Sequence, residues 1–255
     1  MNAMNDLGAS IPEPDGETVS PATAVGNPLG TVPSWLATLV AGLVAGSIAW
    51  GLGESRLVRV EARKVPMVTM GQKHEGTTPA TEQAAVIATA SRNAAAFGAL
   101  LGLAMGVAGG VVRRRSESGM RAALSGAVLG GVAGGLATFL AVNLHARAVS
   151  SFEDDLIPSL VMHGAIATAI GAAAGLAFGL GAGAGEQRGR RNRTLIGGAV
   201  GGLLGAIAFQ ILGGLLFPID GTTDPVPATA IARFVSPILV AASTAIGVIV
   251  GYGRR

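Results

Sequence analysis

The chain is 255 residues long, half of them hydrophobic and only 13% charged, with 40 glycines and a net charge of +3. A soluble domain carries about 25% charged residues, and a chain this apolar has too little polar surface to stay dispersed, so a soluble globular protein is excluded. The absence of cysteine removes disulfides, thiolate metal sites and cysteine nucleophiles. The positive charges sit in short clusters beside apolar runs, without a basic face or aromatic platforms, which argues against nucleic acid as a partner.

In chain order, the first 33 residues hold Pro12, Pro14, Pro21, Pro28 and Pro33 with Asp6, Glu13, Asp15 and Glu17. Lacking Lys, Arg and an apolar core, they are not a cleavable signal peptide. Their composition predicts an acidic, Pro-rich disordered tail. Six apolar runs follow, at about Trp35–Gly53, Ala94–Val112, Ala122–Val142, Pro158–Gly183, Thr194–Phe217 and Ala230–Tyr252. Each is close to the ~20 residues a helix needs to cross roughly 30 Å of hydrocarbon. Glycine is acceptable in such helices because no water competes for their backbone. The expected fold is all-α, a polytopic membrane bundle of about six transmembrane helices in a lipid bilayer. Its parts are the tail (1–33), a first span (34–53), an extramembrane connection (54–93) and a five-helix glycine-rich region (94–255).

The connection has its own pattern. Val58-Arg59-Val60-Glu61-Ala62-Arg63 alternates apolar and polar, which suits a short strand, with a juxtamembrane helix as the alternative. Thr78 before Pro79, with Glu82 following, marks a helix start from which one helix can run to Val112. At 1.5 Å per residue that helix is roughly 50 Å long, about 20 Å more than the hydrocarbon requires. It is therefore expected to project beyond the membrane.

Basic residues set the orientation. Arg113, Arg114, Arg115 and Arg121 follow the second run, Arg188, Arg190, Arg191 and Arg193 follow the fourth, and Arg254-Arg255 follow the sixth. The intervening connections hold Arg147 against Glu153, Asp154, Asp155, Asp220 and Asp224. This alternation puts both termini in the cytoplasm, against the pull of Arg56, Arg59, Arg63 and Lys64 in the first connection.

Glycine recurs at every fourth position: Gly98, Gly102, Gly106 and Gly110; Gly126, Gly130 and Gly134; Gly171, Gly175, Gly179 and Gly183; Gly197, Gly201 and Gly205. Shorter versions are Gly42 with Gly46, and Ser243 with Gly247 and Gly251. Residues four apart share a helix face, so each ladder is a groove without side chains, into which another helix can pack closely. The packing can lie within one chain or between copies, so a homo-oligomer or a membrane-protein partner stays open. The third, fourth and fifth runs share a pattern that reads as common composition or as a worn internal repeat.

A search for chemistry is mostly negative. Gly71–Thr78 lacks the Lys of a phosphate loop, Gly179–Gly183 lacks the strand of a dinucleotide fingerprint, and His74-Glu75 lacks the second His of a zinc site. No enzyme, cofactor or metal is expected. Polar residues in or beside the runs are Arg92, Asn143, His145, His163, Gln210 and Arg233, all falling toward the outer side. They are either interfacial, reaching for water at helix ends, or they line an outward-facing polar cavity for an ion or small solute. Arg92, His163, Gln210 and Arg233 are the candidates for that cavity, and Pro237 would fit a kink beside it.

The acidic tail, single anchor and glycine-laddered spans, chiefly Arg92–Phe217 with Arg193-Thr194-Leu195-Ile196-Gly197-Gly198-Ala199-Val200-Gly201-Gly202, resemble uncharacterised glycine-rich multipass membrane proteins of bacteria. The resemblance implies no activity. The expectation is an integral protein of a bacterial inner membrane, non-enzymatic, with a structural or interaction role centred on the first connection. A transporter or channel using the outward-facing cavity is the alternative.

Overall fold

The structure, a computed structural model, describes residues 33–55, 59–69, 71–148, 156–183, 188–216 and 221–253. The acidic tail up to residue 32, together with Arg56, Val58, Glu153, Asp154, Asp155, Asp220 and Arg254-Arg255, lies outside the described residues. The elements are α1 (Ser34–Glu54), β1 (Val65–Thr69), β2 (Gln72–Gly76), α2 (Pro79–Arg113), α3 (Ser116–Ala148), α4 (Leu156–Gly181), α5 (Arg188–Leu216) and α6 (Ala230–Gly253). All six helices are long and apolar enough to cross a bilayer. The chain is an all-α, multipass integral membrane protein.

Local sequence explains where elements begin and turn. At the start of α2, the Thr78 side chain accepts from the Thr81 backbone N–H, and the Thr81 hydroxyl caps Thr78 in return, with Pro79 in the first turn. Glu82 takes no part in that box and instead accepts from the Thr77 hydroxyl at 2.6 Å. The helix then runs for 35 residues, about 52 Å at 1.5 Å per residue. It ends at Arg114, whose left-handed conformation (φ 57°) returns its N–H to Gly110 and Val111 and lets α3 begin almost at once.

The strand expected over 58–63 lies further on. β1 and β2 form an antiparallel hairpin with Val65 opposite Gly76 and Thr69 opposite Gln72, whereas residues 59–64 are irregular. Gly71, at φ 80°, supplies the chain reversal and so fixes which residues pair. The alternating segment upstream has no partner strand, and alternation alone cannot hold a strand.

The helices close into a ring in which each neighbour in sequence is a neighbour in space, and α6 returns to α1. Inside it, α2 touches both α4 and α6, and α4 touches α6, so the even-numbered helices form an inner triangle. The odd-numbered helices lie in the outer grooves, and much of α1 and α3 faces outward. On α3 the outward residues are apolar, Leu124, Val128, Val132, Leu136 and Phe139 among them, as a helix against lipid requires. The innermost side chains are Leu101, Met105, Met162, Ile170, Phe178, Phe209 and Val248.

Close approach occurs where glycine faces backbone. A Cβ added at Gly98, Gly102 or Gly106 of α2 would overlap the α3 backbone at Gly130, Gly126 and Ala122-Ala123, and one at Gly110 would overlap Gly119. Gly134 faces the Ala94 carbonyl. On α4, Gly171 and Gly175 meet the α5 carbonyls of Gly198 and Thr194, and Gly179 meets the Thr194 hydroxyl. On the other side of α5, Gly197 meets Gly247, Gly201 meets Ser243 and Gly205 meets Val240 of α6. In every pair one number rises as the other falls, so these neighbours run antiparallel.

Candidate functional site: a roofed cavity at one end of the bundle

The close contacts give out toward one end of the bundle, where α1, α3 and α5 finish and α2, α4 and α6 begin or have only just entered the bundle. A cavity of about 160 Å³ lies there, lined by residues from all six helices. Its floor is formed by Ala94, Ala167, Ala206 and Val240, with Phe97 and Ile170 beside them. Trp50 of α1, Asn93 of α2, Thr138 of α3, His163 of α4 and Ser236 of α6 supply its polar wall. Pro225, Val226 and Pro227, from the segment before α6, form the roof.

The roof is held by side chains from α4, α5 and α6. Ser159 of α4 donates to the Thr223 carbonyl at 3.0 Å. Gln210 of α5, only 6% exposed, donates to the Ser159 hydroxyl at 3.1 Å and the Thr222 carbonyl at 3.3 Å. The His163 ring lies near the Asp224 backbone and packs edge-on against Phe209. Arg233 completes the set. It sits in the first turn of α6, behind a Thr229 hydroxyl that accepts from the Ala232 N–H at 3.3 Å. Its Nη1 donates to the carbonyls of Pro227 at 2.9 Å and Ala228 at 2.6 Å.

Arg233 also forms the mouth of the cavity. Its Nε lies 2.5 Å from Oε1 of Glu54 and its Nη2 lies 3.1 Å from Oε2, a bidentate pair joining the end of α1 to the start of α6. Arg59 adds a longer contact to Glu54 at 3.4 Å. Beside this pair is a second, shallower cavity of about 350 Å³, lined by Arg59, Val60 and Thr89 on its outer side. The two cavities share Gly53, Asn93, Val226, Pro227 and Arg233, so those residues form a thin partition between an outer vestibule and the inner chamber. Gly53 is close to Asn93 there: a Cβ on it would lie 3.0 Å from Oδ1. The Val60 N–H donates to the Thr89 hydroxyl at 3.0 Å and pins the first connection across the vestibule.

Around the chamber, buried polar atoms lack protein partners. Trp50 Nε1, Asn93 Oδ1, Thr138 Oγ1 and His163 Nε2 are buried without a hydrogen bond, and all four residues line this cavity. An unpaired buried polar group costs about 1–3 kcal/mol, so four together around one space call for water or a polar solute.

The four candidates from sequence take different places. His163 and Arg233 line the chamber. Gln210 stands behind the roof and holds it. Arg92 is exposed on α2, about 20 Å along the helix from its start, at a depth where a long side chain reaches the interface. Sequence reasoning missed Glu54, Trp50, Asn93 and Thr138. Glu54 carried a signal, being an acid that closes an apolar run. Asn93 carried one too, as a polar amide beside an apolar run, whereas Trp50 and Thr138 had none, because one apolar or small residue looks like another until a helix face is chosen. Asp224 contributes backbone only, and Asp154, Asp155 and Asp220, the other acids expected near Arg233, lie outside the described residues. Among the described residues, no group of three or more His, Asp or Glu could hold a metal.

No family model matches the chain, and no curated protein or solved structure is similar to it.

Proposed function

We propose that the protein binds a small solute in this chamber and moves it, or senses it, from the side of the membrane opposite the Arg-rich connections. The observation that carries the reading is that four residues lining one cavity shared by six helices each bury a polar atom without a partner. Charge distribution supports the orientation: basic connections stay in the cytoplasm, so the vestibule faces outward from a bacterial inner membrane, with both termini inside. The close packing below the floor would prevent leakage while the vestibule is open. The Glu54–Arg233 pair, lying across the partition, would act as its latch.

The chain has no native cysteine, which permits a direct test. Single variants Val60→Cys, Ala94→Cys, Met105→Cys and Glu117→Cys are exposed to an impermeant thiol reagent outside intact cells. Labelling is expected at 60 and, more slowly, at 94, and not at 105 or 117. Labelling at 117 without 60 would reverse the orientation, and silence at 94 would remove the chamber from function.

A second reading, a structural or interaction role through the first connection, has its own support. Among the described residues the β1–β2 hairpin has no extensive contact with any helix, and Val68 on it is 67% exposed. An isolated two-stranded hairpin is marginally stable in water, and both its edges are open to a partner or a second copy of the chain. Deleting residues 65–76 would separate the readings, since solute binding should survive it and an interaction role should not.

A further inference from the structure

We infer that the chamber selects an uncharged solute with an apolar body and one group that both donates and accepts hydrogen bonds, a small amide or alcohol. This rests on the reading of the chamber as a solute site and specifies what that site accepts.

The charges come first. Among the described residues, the charged side chains lining the chamber are Glu54 and Arg233, and they are already satisfied. Both Glu54 oxygens accept from Arg233, and all three guanidinium nitrogens are engaged with Glu54 or with the roof carbonyls. An anion would have to displace Glu54 from Arg233, and a cation would have to displace Arg233 from Glu54. Either exchange strips a charged side chain of its partner inside a partly buried mouth, which opposes binding. A neutral solute avoids it.

The unpartnered atoms then specify the polar group. Trp50 Nε1–H can only donate. Asn93 Oδ1 accepts, and the Thr138 hydroxyl does both. The unpartnered Nε2 of His163 accepts whenever the imidazole is neutral and protonated on its other nitrogen. Donor and acceptor capacity thus lie in the same wall, which a carboxylate (acceptor only) or an ammonium (donor only) cannot use in full. The rest of the lining includes Phe97, Ile166, Ile170, Phe209 and Val240, apolar groups that favour a short hydrocarbon body over a fully polar solute. The volume of about 160 Å³ limits the ligand to a few heavy atoms.

Three probes of one shape separate the classes: isobutyramide, isobutyrate and the donor-only cation isobutyramidinium. The protein has two tryptophans, and Trp35 lies exposed on the outer surface of α1, so Trp35→Phe leaves Trp50 as the reporter in the chamber. In lipid nanodiscs, isobutyramide should shift Trp50 emission saturably, with both ions at least tenfold weaker. Protection of Ala94→Cys from the thiol reagent gives the same ranking without altering either tryptophan. An ion binding as well as the amide, or better, would overturn the uncharged class while leaving the solute site intact. If none of the three binds although the reagent reaches Ala94→Cys, the chamber holds water only and the class inference fails. Absence of both binding and access would remove the site itself.

Discussion

The two ends of the bundle are made by the same six helices, and they differ in what lies between them. Toward the Arg-rich connections, helix meets helix backbone to backbone at Gly102–Gly126, Gly106–Ala122 and Gly175–Thr194. Toward the other end the ladders stop, at Ala94 on α2, Ala167 on α4 and Val240 on α6. Beyond them the contacts loosen: Gly164 encounters only the Leu203 side chain, and an added Cβ at Gly46 would touch the Pro237 carbonyl at 3.1 Å rather than overlap it. These terminal contacts are also the chamber floor. The cavity is therefore a consequence of where glycine runs out. Side chains must fill the wider gap, and a few polar ones leave it partly empty. In a membrane, where lipid offers helices no hydrophobic reason to associate, the ladder end supplies the packing that lets the other end stay open.

The largest test of that division is Gly102→Val. A Cβ there overlaps the Gly126 carbonyl, and backbone cannot step aside as a flexible side chain can. Overpacking a core costs about 1–3 kcal/mol and sometimes more, and here two helices must part, so the loss should be at or above the top of that range. Gly214→Ala is the matched control, since nothing lies within 4 Å of its added Cβ. Thermal unfolding in detergent should show a large drop for the first and almost none for the second. Equal stability of the two variants would mean the ladder end is not what holds the bundle.

Smaller effects are expected at the open end, where losses fall on the roof and mouth. Glu54→Gln removes the charge that faces Arg233 across the partition. Exposed pairs are worth about 0–1 kcal/mol and breaking fully buried ones costs about 3–5 kcal/mol. This pair is one-fifth to one-quarter exposed, at 19% and 27%, so a loss of about 1–2 kcal/mol is expected. Its more telling result is kinetic: with the latch loosened, Ala94→Cys should react several-fold faster with external reagent. Gln210→Leu should act similarly through the roof. It leaves the Ser159 hydroxyl and Thr222 carbonyl without their shared donor, at about 1–2 kcal/mol. If either variant left the labelling rate unchanged, the group it alters would not control access.

The ladder end was largely legible in the sequence, and the open end was not. Six apolar runs, a four-residue glycine period and a Thr78-Pro79 helix start are local patterns, and each leads to a local consequence. The pairing of ladders was beyond reach, because Gly197 and Gly198 on α5 look alike yet face different helices, α6 and α4. The chamber was half visible. His163 and Arg233 stood out because a polar residue in an apolar run is conspicuous. Trp50 and Thr138 did not, since both are ordinary in membrane helices and only their unpaired atoms in three dimensions single them out. Gln210 was conspicuous for the right physical reason, a buried amide needing partners, but those partners belong to the roof.

The smallest change, Thr138→Val, bears on whether the open end is wet. Thr138 is 2% exposed and its hydroxyl has no protein partner, while valine keeps nearly the same shape. If water or solute solvates the hydroxyl, exchanging it for methyl should alter stability by less than about 0.5 kcal/mol, and solute affinity should fall. If the chamber is dry, the hydroxyl carries an unrelieved desolvation penalty, and removing it should stabilise the protein by about 1–3 kcal/mol. The sign and size of one unfolding shift thus separate the two states of the cavity. A gain above about 1 kcal/mol would make both ends equally closed, differing only in whether backbone or side chains fill them. A near-zero shift with weakened binding would keep the contrast between a sealed end and a solvated one.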